Sequence, residues 1–192
     1  MIEQPKKTRV CLGKRAETKK GERMKRFGTA MLVVGMMFVS GLARAEALTA
    51  ELCKQKVDEA AAILKAEGKA GLAKVKAMAI FADGQSYVWV HNMNSIMLMH
   101  PVKPQLEGQS LIDMRDANGV YIFVAFNEIA EAKGAGWVSY VWPKPGKVES
   151  SPKASYVKLV EGDDRYVVGA GLYDVTSADI KTKFPNDAIY EQ

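Results

Sequence analysis

In the run Tyr87-Val-Trp-Val-His91, ring-bearing residues alternate with β-branched ones. An extended chain would set Tyr87, Trp89 and His91 on one face and Val88 and Val90 on the other. The same alternation in Trp137-Val-Ser-Tyr-Val-Trp142 opposes Trp137, Ser139 and Val141 to Val138, Tyr140 and Trp142. His100 ends the run Ile96-Met-Leu-Met-His100, and Lys103 follows shortly after. A sheet face of Tyr and Trp, with an imidazole and a cation at a strand end, suits a small anion. The rings exclude water, and one cation plus phenol or indole donors satisfy a carboxylate. Without such donors, burying even a neutral polar group costs roughly 2–7 kcal/mol. The same rings would also serve as ordinary core, with His100 only capping a strand.

Other chemistries fit the residues less well. Met93, Met97, Met99, His91 and His100 offer thioether and imidazole ligands that suit Cu(I). Alternation puts Met97 and Met99 on one face and His100 on the other, so core filling is the expectation. Asp116-x-Asn118-Gly119 resembles part of a calcium loop. Aligning Gly119 with the sixth loop position, however, leaves Met114 and Ala125 where acidic ligands belong. A turn and helix start is expected there instead. There is no Cys-x-x-Cys-His, Gly-x-Ser-x-Gly, His-Glu-x-x-His or Walker sequence. Glu128 and Glu131 read as a solvated helix face. The expectation is a protein without catalytic activity, cofactor or metal.

The elements that would position these residues are legible from period and punctuation. Residues 48–76 carry a helical pattern rich in Ala, Lys and Glu, with Thr49 as N-cap and a break near Gly68 and Gly71. Cys53 lies on a stripe with Val57, Ala60 and Leu64, where a small buried hydrophobe is expected. Strands are predicted over 87–91 and 96–100, with a turn at 92–95. Residues 101–118 form an irregular crossing, and 120–132 have the period of a short helix. Strands over 137–142, 154–160 and 166–173 follow, the last two paired across Gly162-Asp163-Asp164. The fold class is therefore α+β: about five antiparallel strands, a long N-terminal helix and a helix-containing crossing.

The chain has 27 Lys and Arg against 22 Asp and Glu. Residues 24–45 read as an export leader, with Lys25 and Arg26, a short apolar core, and Ala43-Arg44-Ala45 as cleavage site. Residues 1–23 read as an extended basic start or as the result of a mis-called first codon, with Met24 the natural initiator. Eleven basic residues fall at or before Arg44, leaving 16 basic and 19 acidic residues in 46–192. No basic cluster remains to follow a phosphate backbone, so nucleic acid is not an expected partner. Residues 46–192 are expected to form one domain, soluble and periplasmic.

The pieces Tyr87-x-Trp89, Met99-His100-Pro101-x-Lys103-Pro104-x-Leu106-x-Gly108 and Asp116-x-Asn118-Gly119 occur in this order. Gly136-Trp137-x-x-Tyr140-x-Trp142-Pro143, Ser155-Tyr156-Val157 and Gly169-x-Gly171-x-Tyr173 continue the series. With the helix before them they cover nearly all of residues 46–192, and together they resemble the single Cache domain of the second type. The resemblance implies a PAS-like sheet and an extracytoplasmic pocket for a small organic acid such as acetate, propionate, pyruvate or lactate. Within that frame the expected ligand-binding residues are Tyr87, Trp89, His100, Lys103, Tyr121, Trp137, Tyr140 and Trp142. Lys103 is expected to pair with the carboxylate and His100 to donate to it or a neighbouring carbonyl. Tyr140 or Tyr121 would give a hydroxyl, and the Trp residues would form the wall. Many relatives have Asp where this chain has Asn92, and a basic residue near Ile96. Receptors of the family continue into a membrane helix, whereas this sequence stops at Gln192, which favours a free-standing binding protein. The expected partners are a small acid and a membrane-bound signalling or transport protein, with the N-terminal helix as a homodimer surface. The alternative is an interaction subunit of a membrane kinase or transporter with a secondary or empty pocket.

Overall fold

Thr49, in an extended conformation, opens the first helix by accepting the Leu52 N–H on its side chain at 3.2 Å, as an N-cap does. Helix α1, Ala50–Glu67, buries Ala50, Cys53, Val57, Ala60, Ala61 and Leu64 along one stripe. Burial pushes the Cys53 thiol up to about 12, so it packs as a small hydrophobe. Gly68, at φ +56°, leaves the helical region where a break was predicted. A 3-10 turn, Gly68–Gly71, then leads into α2, Leu72–Met78. The computed structural model describes residues 49–162 and 164–190, and the expected leader and its cleavage site lie outside them. Among the described residues no helix is long and apolar enough to cross a membrane.

The strands are β1 (Val88–Asn92), β2 (Met97–Met99), β3 (Ala135–Pro143), β4 (Ser150–Val160) and β5 (Tyr166–Tyr173). They form one antiparallel sheet in the order β2-β1-β5-β4-β3. The five strands, the two hairpins and the crossing with its helix α3, Ile122–Lys133, agree with the sequence reading. One sheet face packs Val88, Val90, Trp137, Ala154, Val168 and Ala170 against α1. The other packs Trp89, Val138, Tyr140, Val157 and Val167 against α3. The sheet thus separates two apolar layers, and period two along each strand decides which layer a side chain enters.

Three details differ from the sequence reading. Met97 and Met99 do not share a face: Met97 joins the α3 layer and Met99 the α1 layer. The cause is a register shift in which Met97 pairs with His91 and Met99 with Val90, so Leu98 is the extra residue of a bulge. Strand β4 starts at Ser150, ahead of the expected 154. A further helix, α4, Ser177–Lys183, follows β5, with Thr176 and Asp179 capping each other. Beyond α4, Trp137 N–H donates to the Ala188 carbonyl and the Tyr190 N–H to the Trp137 carbonyl, which covers part of the β3 edge.

Candidate functional site

Between the sheet and α3 lies a cavity of about 20 Å³, roughly the room one water needs. Tyr87, Trp89, His100, Tyr140 and Trp142 line its polar side. Met97 and Leu106, with Ile122, Phe123 and Phe126 of α3, close the apolar side. Phe126 meets the Tyr140 ring edge-on at a centroid distance of 5.4 Å and the Trp89 ring at 5.2 Å.

His100 is held by its own loop. Its Nδ1 accepts the backbone N–H groups of Val102 (3.3 Å) and Lys103 (3.0 Å), which puts the ring proton on Nε2. Its backbone N–H donates to Glu107 Oε1 (3.0 Å), an oxygen that also takes Lys76 Nζ (3.2 Å). Burial, then the cations of Lys153 and Lys103, push the imidazole down to about 3. His100 is therefore neutral at ordinary pH and offers an Nε2–H donor. Among the described residues no hydrogen bond occupies that donor.

Trp89 is different. Its indole N–H donates to His91 Nδ1 (3.3 Å), so His91 Nε2–H donates to Asn127 Oδ1 (3.1 Å). Asn127 Nδ2 in turn donates to the Met93 carbonyl (3.1 Å) and to Ser95 Oγ (2.9 Å). The chain is closed, so Trp89 contributes a wall rather than a donor. The Tyr140 hydroxyl lies 3.0 Å from Ser155 Oγ, and burial raises its phenol pKa.

The residue that sequence reasoning missed is Lys153. It faces Tyr140 across β3 and Tyr173 across β5, and it is only 1% exposed. Its Nζ lies 4.2 Å from the Tyr87 ring centroid, 4.4 Å from that of Tyr173 and 5.7 Å from that of Trp89. One hydrogen bond links it to the Tyr173 hydroxyl at 3.3 Å, and that hydroxyl donates to the Pro143 carbonyl at 3.0 Å. Among the described residues no carboxylate pairs with it. Burial depresses its pKa to about 7; Cys53 opposes this and Lys103 adds to it.

Two glycines of β5 make room for this arrangement. A methyl at position 169 would overlap the Trp89 ring, and one at 171 would overlap Ser155 Oγ and stand 2.8 Å from Lys153 Cε. The Gly169-x-Gly171 spacing is thus the floor on which Trp89 and Lys153 lie.

The structure therefore brings Tyr87, Trp89, His100, Tyr140 and Trp142 together on one cavity. Lys103 stands beside them, half-buried, with Nζ 4.3 Å from the Trp142 ring centroid. Two expected site residues lie elsewhere. Trp137 faces α1, fully buried, stacks on Phe184 and donates its indole N–H to Asp187 Oδ2 at 2.9 Å. Tyr121, 37% exposed, precedes α3 with the Arg115 guanidinium 3.8 Å from its ring centroid. Alternation explains Trp137: it is odd-numbered on a strand whose cavity-facing residues are Tyr140 and Trp142.

A two-layered PAS-like sheet with a cavity between sheet and crossing helix defines a ligand-sensing module. The chain belongs to the Cache domain family, whose model matches residues 47–189. It is 35% identical over 115 residues to the methyl-accepting chemotaxis protein McpP of Pseudomonas putida, a match covering 60% of this chain and 21% of that protein. The chain thus spans about a fifth of that relative. One similar solved structure is described as the structural basis for carboxylic acid recognition by a Cache chemosensory domain: TM-score 0.58, 31% identity, 65% of this chain and 92% of that one. Another is a periplasmic sensor domain of a chemotaxis protein: TM-score 0.54, 37% identity, 65% and 90%.

Proposed function

We propose that residues 46–192 form a periplasmic sensor domain that binds a short-chain monocarboxylate and passes its occupancy to a membrane-bound signalling or transport partner. The observation that carries this reading is Lys153, a buried cation with no carboxylate partner among the described residues, set against the Tyr87 and Trp89 walls of the cavity. An acid anion is the partner such a cation lacks, and burial of the pair in low dielectric strengthens the attraction. His100 Nε2–H gives a second donor, and the Met97, Leu106, Ile122 and Phe123 side suits a short alkyl tail. The cavity as it stands has room for about one water, so an acid of two to four carbons needs its lining side chains to give way, and larger ligands need more. The description of one similar structure, carboxylic acid recognition by a Cache chemosensory domain, supports the same ligand class, and the chemotaxis relative supports a sensing role. Export through the 24–45 leader fits a periplasmic role, and α1 is the surface proposed for a homodimer.

The test is a thermal-shift and calorimetry series with acetate, propionate, pyruvate and lactate against longer acids and amino acids. At 100 times its dissociation constant a ligand adds about 2.7 kcal/mol, a rise of several degrees for a domain this size. A rise confined to the short acids is expected. Flat curves for every acid, in folded and ligand-free protein, would overturn the reading in favour of a partner-binding subunit.

A further inference from the structure

We propose that Lys153 senses 2-oxo acids covalently: its amine condenses reversibly with the carbonyl of a small 2-oxo acid in the cavity to give an imine. The inference rests on the short-chain acid reading of the same cavity and deepens it.

Three features of Lys153 suit a nucleophile better than a purely structural cation. It is fully buried among Tyr87, Trp89 and Tyr173, and the first two line the cavity. No carboxylate among the described residues fixes it as an ammonium, and the single hydrogen bond to Tyr173 is long at 3.3 Å. A second cation, Lys103, lies over the ring of Trp142, which lines the same cavity as Tyr87 and Trp89. Desolvation and a neighbouring positive charge both favour the free amine, the form that attacks carbonyl carbon. The depressed pKa of about 7 agrees with this geometry.

The step balances without an oxidant or reductant. The amine lone pair forms the C–N bond while the carbonyl π pair moves to oxygen, which takes a proton to give a carbinolamine. Loss of the hydroxyl as water leaves C=N. Counted from the ammonium, two hydrogens depart with the carbonyl oxygen and one stays on nitrogen. The protonated imine keeps the charge of the ammonium, so the acid's carboxylate remains neutralised beside His100 Nε2–H and Lys103. Acetate, propionate and lactate have no ketone carbonyl and would bind only non-covalently.

The experiment incubates the purified protein with pyruvate, reduces with borohydride and maps the adduct by mass spectrometry. The expected result is a mass gain of one pyruvate less one oxygen, located on Lys153, and lost in Lys153→Arg, which keeps the cation but lacks the primary amine. Calorimetry with acetate in the same buffer reads the acid site separately. Acetate binding without an adduct at Lys153, or label spread evenly over exposed lysines, overturns the imine and leaves the acid site standing. An adduct at Lys153 without acetate binding supports the imine and narrows the ligand of the cavity from short monocarboxylates in general to 2-oxo acids.

Discussion

Lys153 holds its ammonium in an apolar layer against a pKa fall from 10.5 to about 7, at about 1.4 kcal/mol per pKa unit. That is a large unfavourable contribution, and it makes binding and stability respond to one substitution in opposite directions. Lys153→Met keeps the length of the stem and removes the charge. Thermal unfolding should show the ligand-free variant more stable than the parent, because a desolvated cation has gone. Calorimetry should show acid affinity weaker by at least about tenfold, or 1.4 kcal/mol. Equal affinity in the two proteins would remove Lys153 as the counter-charge. Lys103→Ala should cost less, since Nζ of Lys103 is half-buried on the Trp142 ring. Five of the eight expected site residues line the cavity because rings on alternate strand positions are visible in sequence. Lys153 was not, because Pro152 hid the start of β4 and a lone lysine before Ala154 reads as loop.

Strand β5 shows how an element can serve the site by lacking side chains. Val167, Gly169 and Gly171 share the cavity face, and the two glycines receive the Trp89 ring and the Lys153 stem. Gly171→Ala should preserve the fold by circular dichroism and still weaken acid binding, because the new methyl meets Ser155 Oγ and Lys153 Cε. Adding Ser155→Ala removes the first of these contacts and should restore part of the affinity; no restoration would show that the methyl acts elsewhere. Helix α3 and the β1–β2 turn are joined by Asn127, whose amide satisfies His91, Met93 and Ser95 at once. Asn127→Leu strands these groups, each lost partner costing about 1–3 kcal/mol, and should lower the melting temperature by several degrees. Element types and order were readable from period and punctuation. The β1–β2 bulge was not, since nothing in Met97-Leu-Met99 marks Leu98 as the extra residue, and the slip alone sends the two Met side chains to opposite layers.

For the whole domain, buried groups divide the pH dependence of stability into two stretches. His91 and His100 have folded pKa values of about 3, below the 6.5 of an exposed imidazole. The unfolded chain therefore binds more protons from pH 3 to about 6.5, and stability should rise with pH across that range. Lys153 repeats the argument higher up: its folded value of about 7 lies below 10.5, so the unfolded chain again binds the extra proton and stability should rise from pH 7 towards 10. In the parent the second rise should approach about 1.4 kcal/mol per pH unit, and Lys153→Met should flatten it. The histidine stretch should keep its sign but shrink in part, because the Lys153 charge no longer helps hold the His100 imidazole down. Acid binding should run the other way. A carboxylate such as acetate pairs with the ammonium, so its affinity should be level between the acid's own pKa and pH 7 and fall up to about tenfold per unit above pH 7. Denaturation midpoints and acetate affinities measured at matched pH values test both slopes. If stability in the parent fails to rise above pH 7, the amine is not buried without a counter-charge, and neither its pairing with an acid nor its attack on a carbonyl would follow.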